Sequence, residues 1–137
     1  MSEPASPSRP TTYVWPSLRY VDAPGAIDFL TAAFGFVATA VYRAEDDDTV
    51  VDHAELAWPP GGGIMLGTQR ESADWPASTG QAACYLVTDD PDGLYSRAVS
   101  AGAGVVREPV DQDYGSREFS VRDPEGNLWS FGTYAGE

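Results

Sequence analysis

His53 is the only histidine of the chain, and Glu55 follows it two residues on. In a strand, residues i and i+2 point the same way, so the imidazole and the carboxylate share one face. That pairing opens two chemistries: a general base tuned by a carboxylate, or half of an unorthodox metal site. Its plainer outcome is a structural hydrogen-bonded pair or two polar groups on a wet face, and perturbed pairs are often structural. Cys84 is the only cysteine, so no internal disulfide and no cysteine cluster for zinc can form. It has no basic neighbour in sequence to make it a thiolate, which favours inert packing. Tyr114-Gly115 sits in a turn, and Arg117 beyond it could bind a ligand carboxylate, although a surface ion pair is the commoner fate of such a side chain. The acidic run Glu45 to Asp48 lacks the alternating ligands, central Gly and distal Glu of a calcium loop and reads as a solvated hairpin turn.

The chemistry these residues can do is bounded by composition. At 137 residues with 42% apolar and 12% aromatic side chains, the chain is long enough to bury the core of one domain and too apolar to be disordered. The net charge is −13 and all eight basic residues are Arg, which makes nucleic acid an unsuitable partner. An acidic protein can favour a cationic ligand, or the charge can serve solubility alone. No apolar run approaches the ~20 residues of a membrane span, so no membrane partner is expected. Met1 to Pro10 has no signal-peptide anatomy, and a cytoplasmic setting is expected.

The elements that must position these residues can be read in order. Residues 1–12 form a Pro- and Ser-rich flexible tail. Tyr13 to Tyr20 is strand-like, Asp22 is placed to cap a helix with Pro24 just inside it, and Gly35 ends that helix. Strands are expected over Phe36 to Arg43, Val50 to Trp58 and Ile64 to Thr68. Residues 69–80 read as a linker. The pattern then restarts: a strand over Ala82 to Thr88, a helix capped by Asp89 or Asp90 and ended by Gly102, a strand from Val105, a turn over Gln112 to Gly115, a strand over Arg117 to Arg122, the tight turn Asp123-Pro-Glu-Gly126 and a strand from Leu128 to Tyr134. Residues 135–137 form a short C-terminal tail.

The two halves correspond. Tyr20-Val-Asp22 matches Val87-Thr-Asp89, Ala33-Phe-Gly35 echoes Ser100-Ala-Gly102, and Ile64-Met-Leu-Gly-Thr68 matches Trp129-Ser-Phe-Gly-Thr133, at offsets of 67 and 65 residues. Three matches in the same order indicate a duplication. Each half is βαβββ, giving an α+β protein with a first module over 13–68 and a second over 81–134.

This duplication, together with Tyr20-Val-Asp22-Ala-Pro24, His53-Ala-Glu55-Leu56, Tyr114-Gly115 and Arg122-Asp-Pro-Glu-Gly-Asn127, resembles the vicinal-oxygen-chelate superfamily over residues 13 to 134. That group includes glyoxalase I, extradiol dioxygenases, and fosfomycin- and bleomycin-resistance proteins, and the similarity is greatest to the PhnB-like and bleomycin-resistance-like branches. The resemblance implies a cup-shaped sheet and a homodimer whose cups are completed by paired modules. It also implies four inward metal-ligand positions, on the first and last strands of each module. Alignment on the capping aspartates and the shared Gly-Thr endings puts these at Trp15, Ala82, Met65 and Ser130. None is a competent ligand for a divalent ion, and a one-residue shift to Gln81 rescues at most one.

Strand alternation then sorts the faces. Trp15, Ser17 and Arg19 are expected in the cup from the first strand, His53 and Glu55 from the third, and Met65 from the fourth. Their second-module counterparts are Cys84, Glu118, Ser120, Leu128 and Ser130, with Tyr114 and Arg117 bordering the cup. A metal site of His53, Glu55 and Glu118 is chemically possible, but no spacing demands it. Trp15 offers a flat stacking surface, Trp129 belongs to the core, and Trp75 either lies over the cup mouth or clasps the sheet edge. The expected function is a metal-independent, cofactor-free binding protein that sequesters an aromatic or cationic small molecule such as an antibiotic. The competing expectation is an isomerase, lyase or dioxygenase using a displaced site around His53.

Overall fold

Asp22 and Asp90 start the two helices in the same way. Each accepts a hydrogen bond from the backbone N–H three residues on, Gly25 and Gly93, at 3.0 and 3.1 Å, and each is followed by a proline in the first turn. The structure, a computed structural model, describes residues 12–70 and 79–137. The expected tail up to residue 11 and the linker stretch 71–78, with Trp75, lie outside the described residues.

The first module runs β1 (Ser17–Tyr20), α1 (Ala23–Phe34), β2 (Val37–Arg43), β3 (Val51–Ala57) and β4 (Gly63–Thr68). The second runs β5 (Ala83–Val87), α2 (Pro91–Ser100), β6 (Gly104–Asp111), β7 (Arg117–Arg122) and β8 (Leu128–Gly132). Each forms a four-stranded sheet, ordered β1-β4-β3-β2 and β5-β8-β7-β6, with the first strand parallel to the last and the other pairs antiparallel. The fold is therefore α+β with two tandem βαβββ modules, as the repeat and the resemblance led us to expect.

Two boundaries move for physical reasons. β1 starts at Ser17 rather than Tyr13, because Pro16 has no N–H to give a ladder and contributes only its carbonyl, which accepts from Met65 N at 2.9 Å. α2 stops at Ser100, and Gly102 makes the reversal with φ +96° two residues later.

The modules share one core. α1 buries Ala26, Ile27, Phe29, Leu30, Ala33 and Phe34, whereas α2 buries only Pro91 and Ala98. Phe34 touches Trp129 and Phe131 of β8 at ring-centroid distances of 5.5 and 4.8 Å, so α1 serves both sheets. The second module also supplies a charge at each end of α1. The Glu125 carboxylate accepts from Val21 N and Asp22 N at 2.7 and 2.8 Å at the N-terminal end. Arg97 donates to Ala32 O and Thr31 O at 2.8 and 3.1 Å at the other, so both charges oppose the helix dipole. Beneath them the buried Asp123 carboxylate accepts from Tyr20 Oη at 2.6 Å, Trp129 Nε1 at 3.0 Å and Asn127 Nδ2 at 3.1 Å. Burial, and then Asp123, push the Tyr20 phenol upward, so it stays protonated and donates.

Candidate functional site

Because both sheets turn one face into the shared core, each presents its other face outward. On the first sheet the register sets Ser17 beside Met65, Met65 beside Glu55, and His53 beside Tyr42. His53 Nε2 lies 2.9 Å from Glu55 Oε2, and the Tyr42 ring stacks on the imidazole at 6.3 Å with a 23° interplanar angle. The pair expected from the i, i+2 spacing is thus formed, part-buried, with an aromatic neighbour that the sequence reading missed. Arg19 runs across the same sheet over Gly67, where a Cβ would meet its Nη1 at 2.6 Å. Trp15 lies against Gly63 in the same manner, with its Nε1 donating to Thr12 O at 3.3 Å. Two glycines on the last strand therefore make room for the two long side chains of the first.

On the second sheet Ser120 and Ser130 face each other, hydroxyl to hydroxyl at 2.7 Å. Beside them Glu118 Oε1 accepts from Tyr114 Oη at 2.7 Å. Tyr85 Oη donates to Tyr134 O at 2.8 Å and sits 3.4 Å from Glu118 Oε2. The Glu118 carboxylate at the phenol pushes Tyr114 up to about 12. Ala83, Cys84, Tyr85, Arg107, Glu118, Ser120 and Ser130 line a cavity of about 310 Å³. Leu128 pairs with Ala83 and shares the alternation of Ser130 on this outward face.

Two expected cup residues turn the other way. Cys84 is paired with Trp129, not Ser130, so its side chain points inward against the core; burial, then Asp123, push its thiol up. The cause is a one-residue error of register. The true counterpart of Asp22 is the capping Asp90, so Ser17 corresponds to Tyr85, and Tyr85 occupies the place given to Cys84. The same correction moves the second-module metal position from Ala82 to Ala83, away from Gln81. Arg117 alternates with Glu118 and lies on the helix side, where Asp92 binds it through two guanidinium nitrogens and Asp111 through a third at 3.1 Å. It forms an ion-paired strap between β7 and the start of α2.

The residues do not fit the family's metal. The four inward positions hold Trp15, Met65, Ala83 and Ser130, which offer one hydroxyl and no imidazole or carboxylate. Among the described residues no three His, Cys, Asp or Glu side chains converge as a metal site requires. Glu118 does not join His53 and Glu55 within one chain, because it lies on the other sheet. A second cavity, of about 410 Å³, lies at the joint between the modules and is lined by Phe36, Trp58, Ile64, Cys84, Tyr85 and Leu86 among others. Trp58 spans this joint with its Nε1 donating to Val87 O at 3.1 Å. Among the described residues no helix is long and apolar enough to cross a membrane.

Tyr42 stands opposite His53 beside a slip in the β2–β3 register, so its place came from the pairing and not from alternation. Arg107 was less legible, because the pairing of β6 slips on either side of it and breaks the period-two pattern.

The profile of the Glyoxalase/Bleomycin resistance protein/Dioxygenase superfamily matches residues 12–131. An uncharacterised protein of Mycobacterium bovis is 35% identical over 124 residues, which is 85% of this chain and 80% of that one. Among solved structures, TioX from Micromonospora sp. ML1 is 29% identical with a TM-score of 0.73, over 88% of this chain and 97% of the other. A glyoxalase I mutant from Zea mays is 20% identical with a TM-score of 0.69; it covers 91% of this chain and 46% of its own, a likeness of fold alone.

Proposed function

The chain belongs to the Glyoxalase/Bleomycin resistance protein/Dioxygenase superfamily, and from that premise we propose that it is a metal-independent binding protein that sequesters a small aromatic or cationic compound, such as an antibiotic. The observation that carries this reading is the set Trp15, Met65, Ala83 and Ser130 at the positions where the family resemblance implies metal ligands. An indole, a thioether, a methyl and a hydroxyl contribute surface and one hydrogen bond, which suits binding rather than Lewis-acid chemistry. Aromatic side chains supply the rest: Trp15 and Tyr42 on one outward face, Tyr85 and Tyr114 on the other.

The two faces point away from the common core, and no residue of the first module lines the cavity of the second sheet. A complete cup therefore calls for the first module of one chain and the second of another, and a homodimer is the working assembly in this reading. Its partners are a small molecule and a second copy, with neither nucleic acid nor membrane, and its setting is the cytoplasm.

The test is ligand-linked melting against a panel of aromatic and cationic antibiotics, with the metal content of unchelated protein measured in parallel. Sequestration predicts a concentration-dependent rise in Tm with at least one member. No stabilisation, together with a stoichiometric metal that disappears in His53→Ala, would replace this reading with the enzymatic one. The His53–Glu55 contact of 2.9 Å favours that alternative specifically, as the base of an isomerase, lyase or dioxygenase.

A further inference from the structure

Seven of the eight arginines lie in the described residues, and six of these are engaged. Arg43 donates to Asp48 O, Arg70 pairs with Asp52, Arg97 caps α1, Arg117 bridges Asp92 and Asp111, Arg122 donates to Gly126 O, and Arg19 is partnered as well. Among the described residues Arg107 alone has neither a hydrogen bond nor an ion pair, in a chain that carries 21 acidic residues. It is also the arginine that lines the cavity on the second sheet.

The surrounding groups leave it available. Glu118, the carboxylate of the same cavity, takes its hydrogen bond from the Tyr114 phenol at 2.7 Å and makes none with the guanidinium. Arg107 is paired in register with Ser120, whose hydroxyl meets that of Ser130. Two hydroxyls that share one hydrogen bond keep one O–H to donate outward. The cavity thus collects the guanidinium donors and a free hydroxyl proton beside the Tyr85 ring.

We propose that Arg107, Ser120 and Ser130 form a carboxylate subsite, and that the ligand is an aromatic carboxylic acid whose ring lies against Tyr85. This rests on the binding reading above and narrows it, since overall acidity alone would have favoured a cation. A planar carboxylate matches the fork of a guanidinium, and a charge-assisted contact is the strong kind.

The experiment compares three probes of equal bulk by calorimetric titration: naphthylacetate, its neutral amide naphthylacetamide, and naphthylmethylammonium. The wild-type protein is expected to bind the acid roughly tenfold more tightly than the amide. Arg107→Ala should abolish that preference by weakening the acid far more than the amide, and Ser120→Ala should reduce it in part. Arg107 is exposed, so its replacement leaves the core intact. Equal binding of acid and amide, strongest binding of the ammonium probe, or a preference that survives Arg107→Ala would overturn the subsite while leaving the binding function standing. Failure of all three probes to bind would count against both.

Discussion

Tyr114 is the residue whose chemistry can be read most directly, because its hydroxyl donates to Glu118 across a sharp turn. Both the hydrogen bond and the nearby negative charge favour the neutral phenol, so ionisation is delayed to about 12. Glu118→Gln removes the charge, and an ultraviolet titration should then show one tyrosine returning toward the ordinary value of about 10. An unchanged titration would mean that the contact does not persist in solution. Cys84 supports a second residue-level prediction. Its raised thiol, turned toward Trp129, should alkylate with iodoacetamide far more slowly at pH 8 than a free cysteine does; reaction at the free rate would place it on the outward face after all. The sequence shows why these two differ in legibility. Tyr114 and Glu118 are four residues apart across one turn, whereas the facing of Cys84 depends on which of two adjacent aspartates caps α2.

The elements are held together by a polar centre that no periodicity could reveal. Asp123 lies in a turn that reads from sequence only as tight-turn chemistry, yet its carboxylate joins Tyr20 of β1 to Trp129 of β8. Asp123→Ala leaves a buried phenol, an indole N–H and an amide without their acceptor and should cost about 3 kcal/mol or more in urea unfolding. Tyr20→Phe removes one donor and leaves the carboxylate its others, so about 1–2 kcal/mol is expected. If the two variants lost the same small amount, the centre would not be what couples the modules. The start of α1, the αL glycine after it and the span of β7 follow from local residue chemistry and were legible. The bonds from Glu125 and Arg97 to the ends of α1 span 65 residues or more and needed the fold.

At the scale of the whole molecule, the duplication places two open faces on opposite sides of one core, and among the described residues neither carries a cluster of three His, Cys, Asp or Glu side chains. Two consequences follow. The proposed homodimer should sediment at about twice the 14.6 kDa of one chain, and a monomer at micromolar concentration would contradict that assembly. Binding should also be indifferent to divalent ions. The direct measurement is a calorimetric titration of the compound that most raises Tm, made on the same protein before and after exhaustive chelation. A metal-independent site gives the same affinity and stoichiometry in both. Loss of binding on chelation, restored by zinc, manganese or nickel, would contradict it.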